Sequence, residues 1–238
     1  MIYKLGFFAI PYFYAIYNDV ATLPNGRKAY LAAMLATIVG LSVYWGDTWY
    51  GMLSAFSGVM CVVLVAEKRL SNFGWGLINC SLYGFISYQN DYFGDMTLNW
   101  LVYVPFQFIG FYLWNRSLQD EVEVTSKSLA WWNILNITVA TAAAVYIGHE
   151  ILVKFGGNHP WLDSFNVVLS LVATVLMAKR YAEQWLCWIL VNLSGIAMWV
   201  KATMANDGEG VATLIMWSAF LLNSLYGYYR WKTTAERG

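Results

Sequence analysis

The sequence predicts an all-α integral membrane protein: two parallel three-helix bundles joined by a linker helix, with extra helices at the amino terminus. Three observations predict it. Hydrophobic residues make up 59% of the 238 and charged residues only 12%, about half the charge of a soluble domain, and no soluble core of this size hides so much apolar surface. Basic residues fall on alternate loops between apolar runs. Finally, a set of short motifs occurs twice at an offset of 113 residues.

The chain divides into an amino-terminal extension (1–46), a first three-helix repeat (47–116), a loop and inverting linker helix (117–155), and a second repeat with a tail (156–238). Residues 1–17 carry one early lysine, Lys4, and an apolar run, which mimics a secretory signal. No small-x-small cleavage site follows, so this segment is read as a retained helix, spanning or interfacial. Eight further apolar stretches approach the roughly 20 residues that a bilayer crossing needs. They cover 29–46, 49–66, 73–89, 96–115, 130–149, 161–178, 185–203 and 211–229. Eleven of the 14 basic residues, from Arg27 and Lys28 to Lys232 and Arg237, then fall on one side. By the positive-inside rule that side is cytoplasmic and holds the carboxyl terminus.

Self-comparison gives the repeat. Trp75-x-x-x-Asn79 recurs as Trp188-x-x-x-Asn192, and Ser57–Leu64 overlies Ser170–Met177 at the same offset. Gly110-x-Tyr112-x-Trp114 answers Gly227-x-Tyr229-x-Trp231 at an offset of 117. The single helix between the copies reverses the chain once more, so both copies face the same way, a known transporter plan.

The middle of every proposed span lacks Asp, Glu, Lys, Arg and His; Glu67, Asp95, His149, Glu150, Asp163 and Glu183 lie at span ends. Intramembrane ionisable groups mark proton and ion paths, and a phosphate needs a buried base. Their absence predicts a facilitator for an uncharged or cationic, unphosphorylated solute, with sodium coupling through backbone carbonyls left open. The interior polar groups are amides: Asn79, Asn192, Gln107 and Asn223 each lie about 9–12 Å from the same membrane face. Trp75 stands one turn before Asn79, while Trp185, Trp188 and Asn192 share one helix face at i, i+3 and i+7. Indoles beside amides suit an aromatic, cationic ring joined to a hydroxylated group.

Each element also has a plain structural reading. Membrane amides often only join helices, worth about 0.6–2 kcal/mol. Trp45, Trp49, Trp114, Trp131, Trp132, Trp161 and Trp231 are expected in the interfacial aromatic belt. Cys61, Cys80 and Cys187 have no metal spacing, and His149 and His159 no ligand constellation, so no metal and no cofactor is expected. Net charge is zero, which leaves no footprint for nucleic acid. With neither nucleophile nor base at depth, an enzyme is not expected; a non-transporting sensor or scaffold is the competing class.

The run from Glu67-Lys-Arg-Leu-Ser-Asn-Phe-Gly-Trp to Asn79, then Trp161-Leu-Asp-Ser, Ala178-Lys-Arg-Tyr-Ala-Glu-Gln-Trp-Leu-Cys-Trp to Asn192, and Asn223-Ser-Leu-Tyr to Trp231 resembles the PnuC family of bacterial vitamin transporters over residues 48–235. The resemblance implies a fold related to the SWEET sugar transporters, a homotrimer in the bacterial inner membrane, and uncoupled uptake of nicotinamide riboside with later metabolic trapping. It implies that the family's W-x-x-W motif is Trp185 and Trp188, with polar contacts at Asn192 and Asn223, then Gln107 and Asn79. Thiamine or riboflavin, carried by relatives, is the alternative substrate.

Overall fold

The computed structural model describes residues 10–44, 46, 48–89, 96–118, 123–156, 160–205 and 211–237. They form α1 (Ile10–Ala21), α2 (Asn25–Tyr44), α3 (Trp49–Ala66), α4 (Asn72–Gln89), α5 (Val104–Asn115), α6 (Trp131–Lys154), α7 (Pro160–Ala178), α8 (Gln184–Ala205) and α9 (Val211–Thr233). A π-helical segment, Leu98–Tyr103, leads into α5. Pro105 lacks the amide hydrogen that would continue an α-pattern there, and Val104 bonds back to the Asn99 carbonyl instead. Among the described residues α3, α6 and α7 are long and apolar enough to cross a membrane. The expected spans recur as helices, with α6 running five residues beyond its expected end, so that His149 and Glu150 lie inside it.

The chain forms two compact units that part between Thr125 and Ser126. In the first, α2 packs on α3, α3 on α4, and α4 on the π-segment and α5. The extension joins this unit through two buried charges. Asp19, fully buried, accepts the Ser71 amide at 3.2 Å. Arg27 Nε lies 2.8 Å from Glu67 Oε1, and the glutamate has no exposed surface. In the second unit α6 packs on α7, α7 on α8, and α8 on α9. A two-residue parallel pair, β1 (Lys127–Ser128) with β2 (Glu236–Arg237), ties the tail to the segment before α6. Helix α6 has no buried residue and exposes Leu135, Val139, Ile147 and Ile151, a surface stable against hydrocarbon and not against water.

Both α3 and α7 end in a Schellman turn. Lys68 and Arg69 donate back to Val65 and Leu64; Arg180 and Tyr181 donate back to Met177 and Leu176. The left-handed position holds Lys68 (φ 58°) and Arg180 (φ 67°) where glycine is usual. A neighbouring extended segment bonds each turn: Val124 donates to the Lys68 carbonyl at 3.1 Å, and Lys127 to that of Arg180 at 2.8 Å. Glu183 closes the second turn, accepting from Ser128 Oγ, the Leu129 amide and Lys232 Nζ.

The turns correct one expectation. Lys68 and Arg180 stand 112 residues apart, whereas the Trp-x-x-x-Asn match needs 113. Trp75 is therefore the fourth residue of α4 and Trp188 the fifth of α8, a difference of about 100° around the helix. A second correction concerns Trp114 and Trp231. Neither is an interfacial anchor: both are fully buried. Trp114 packs edge-on to Phe73 at 5.0 Å and Trp231 edge-on to Trp185 at 6.0 Å. Trp49, Trp131, Trp132 and Trp161 are exposed, as a belt requires; Trp45, Asp95 and His159 lie outside the described residues.

Candidate functional site

In the first unit the polar residues gather around α4. Asn79, half-buried, donates its amide Nδ2 to the Ser54 carbonyl at 2.8 Å and lies 3.3 Å from Ser54 Oγ. Gly58 leaves room for it: a Cβ there would sit 2.9 Å from Asn79 Nδ2. Gln107 of α5 reaches the opposite flank of α4 and is buried, its Nε2 3.8 Å from Cys80 Sγ. Its Oε1 packs over Gly76 and has no hydrogen-bond partner. Trp75, half-buried, tilts against Phe56 at 5.9 Å, and its indole N–H is likewise unpartnered. Trp75 and Gln107 thus leave one donor and one acceptor over, and in a dry interior each costs about 1–3 kcal/mol.

In the second unit Asn192 is buried and donates Nδ2 to Ser224 Oγ at 2.9 Å. That bond sets it beside Asn223, which is buried and engaged within the protein. Asn79 therefore bonds the first helix after its unit's extension, and Asn192 the last helix of its own. The 100° difference in register accounts for the two partners. Trp188 is half-buried. Trp185 is buried with its indole N–H unpartnered.

Trp185 is held by shape. It lies on Gly227, where a Cβ would stand 2.6 Å from the indole ring, and meets Trp231, one turn further along α9, edge-on. Gly227→Ala is accordingly expected to displace Trp185 and cost about 1–3 kcal/mol, read as a lower melting temperature of the purified protein.

Sequence reasoning reads Ser54 and Gly58 as a helix contact but does not pair Ser54 with Asn79, and it passed over Ser224, which receives Asn192, and the bond from Ser194 Oγ to Asn166 Oδ1 between α8 and α7. It also passed over Gln184, the first residue of α8, which has no exposed surface and whose Oε1 and Nε2 both lack partners. Any polar residue within an apolar span is a signal of this kind, but its partner cannot be read from one sequence. Among the described residues no group of three or more His, Cys, Asp or Glu is placed to hold a metal ion. Helices α3, α4 and α5 contain no charged residue at all.

A family described as "Nicotinamide mononucleotide transporter" matches residues 48–233. A nicotinamide riboside transporter PnuC of Neisseria mucosa is 38% identical over 224 residues, covering 90% of this chain and 84% of the relative. A protein of the same name from Haemophilus influenzae is 34% identical, covering 87% and 90%. A crystal structure of "the Vitamin B3 transporter PnuC" superposes with a TM-score of 0.80 at 35% identity, over 92% of this chain and 97% of that one.

Proposed function

The chain belongs to the nicotinamide mononucleotide transporter family, a family of all-α membrane transporters, and from that premise we propose that it carries nicotinamide riboside into the bacterial cell. The observation that carries the reading is the combination of indole and amide with no basic side chain among them: α3 to α5 hold none, and on α8 and α9 Lys201, Arg230 and Lys232 stand toward the helix ends. Nicotinamide riboside is a pyridinium cation on an unphosphorylated ribose. In the second unit its ring suits the indole of Trp188 and its hydroxyls suit Asn192 and Asn223; in the first unit, taken by itself, Trp75 and Gln107 hold an unpartnered donor and an unpartnered acceptor suited to the same polar groups. Asn79 in the first unit and Trp185 in the second are the remaining candidates, Trp185 held against Gly227 and Trp231. The relatives named above point to the riboside, while the family's description names the phosphorylated mononucleotide. The lack of a basic side chain among the proposed contacts favours the riboside.

The architecture we propose is three helices, a linker and three helices, with α3 to α5 as one bundle, α6 as linker and α7 to α9 as the other. The matching Schellman turns support reading the bundles as internal repeats of SWEET-like type. The turns carry Lys68, Arg69, Lys179 and Arg180, so they and the carboxyl terminus face the cytoplasm across the inner membrane. The uncovered apolar surface of α6 is consistent with a homotrimer. Transport is uncoupled, since no titratable group sits among the proposed contacts, and net uptake follows from later chemical trapping.

Liposomes loaded with the purified protein test this. Labelled nicotinamide riboside is expected to enter saturably and stop at equal concentration, with no sodium or proton gradient. Binding without flux would make the protein a sensor; accumulation only under a gradient would overturn uncoupled transport.

A further inference from the structure

Gln184 opens α8 at the turn side of the Trp188 and Asn192 stripe. At 100° per residue, positions 184, 188 and 192 fall within one 80° sector, and at 1.5 Å per residue they span about 12 Å. A ring and a sugar joined end to end cover that length. The side chain has no exposed surface, yet neither end of its amide has a partner. Buried amides in this state are rare.

Its surroundings show that the fold could have satisfied it. The adjacent Glu183 receives three donors, from Ser128, Leu129 and Lys232. Asn72, the first residue of α4 and equally buried, donates its Nδ2 to the Arg69 carbonyl at 2.6 Å and so closes its own turn, with only its Oδ1 left without a partner. Gln184, one methylene longer, makes no such bond. Two complementary groups, one donor and one acceptor, are kept together in a dry place beside the proposed ring contact.

We propose that Gln184 is a specificity-determining residue that pairs with the carboxamide of the transported riboside; the proposal rests on the transport reading above. A primary carboxamide offers an N–H₂ and a carbonyl, so it forms two antiparallel hydrogen bonds with a glutamine amide. A carboxylate offers only acceptors and sets one of them against Oε1. Gln184 therefore selects nicotinamide riboside over its carboxylate analogue, nicotinic acid riboside. Since the amide is enclosed here, the pairing forms in the substrate-loaded conformation.

The test compares both ribosides on the reconstituted full chain, for wild type, Gln184→Met and Gln184→Glu, alongside melting temperatures. Wild type is expected to prefer the carboxamide at least about tenfold. Gln184→Met, which removes the unpaired groups at similar volume, is expected to bring the preference near parity without lowering the melting temperature. Gln184→Glu, of the same shape but with acceptors only when ionised, is expected to weaken nicotinamide riboside uptake. An unchanged preference in Gln184→Met overturns the proposal, as does a large drop in melting temperature or failure to fold in both variants, which would assign the amide to the fold. A wild type that takes both ribosides equally overturns this proposal alone. A wild type that takes neither overturns the transport reading and the proposal with it.

Discussion

Trp188→Ala is expected to weaken nicotinamide riboside binding by roughly 100-fold, with the helical fold retained. Stacking of one flat ring on an aromatic side chain is worth about 1–3 kcal/mol, and a desolvated cation over an indole adds up to about 2 kcal/mol more. Trp188 is half-buried, and Trp185, not Trp188, carries the packing against Gly227 and Trp231. Removing Trp188 should therefore cost binding more than folding. Asn192→Ala is expected to act similarly on affinity, with a modest loss of stability through the bond to Ser224 Oγ. Titration calorimetry on both purified variants reads the effect. Near wild-type affinity in both would remove these residues from the site.

The largest effect on stability is expected at the amino-terminal extension. Glu67→Ala leaves Arg27 buried without its carboxylate, and breaking a buried pair from one side costs about 3–5 kcal/mol. At about 2–4 °C per kcal/mol for a chain of this size, the melting temperature should fall by roughly 6–20 °C. Replacing both partners by apolar residues, Arg27→Met with Glu67→Leu, should recover most of the loss, because the cost lies in the stranded charge. A double variant as unstable as Glu67→Ala would show that the pair does more than neutralise itself.

The positions of the helices were legible because apolar runs and basic loops are written residue by residue. Bilayer thickness fixes span length, and span length fixes the count. The fate of individual aromatics was not legible. Trp114 and Trp231 lie near helix ends, where an indole either anchors at the interface or plugs the bundle. The choice depends on whether Phe73 or Trp185 faces it, which one sequence does not display. The amides of Asn79 and Asn192 were visible as polar residues at depth. Their partners, Ser54 and Ser224, were hidden by a one-residue register difference set in the turns between helices. Gln184 was hidden by its neighbours: Arg180 and Glu183 make the segment read as loop, and the Schellman turn at Arg180 is what folds it inward. The extension lay outside the family resemblance, yet Asp19 and Arg27 anchor it to the first turn.

The central claim is transport of an unphosphorylated riboside by contacts that include no basic side chain. Paired uptake of nicotinamide riboside and nicotinamide mononucleotide into protein-loaded liposomes tests it most directly. The account predicts saturable entry of the riboside and no protein-dependent entry of the mononucleotide. Mononucleotide entry at a rate equal to that of the riboside would contradict it.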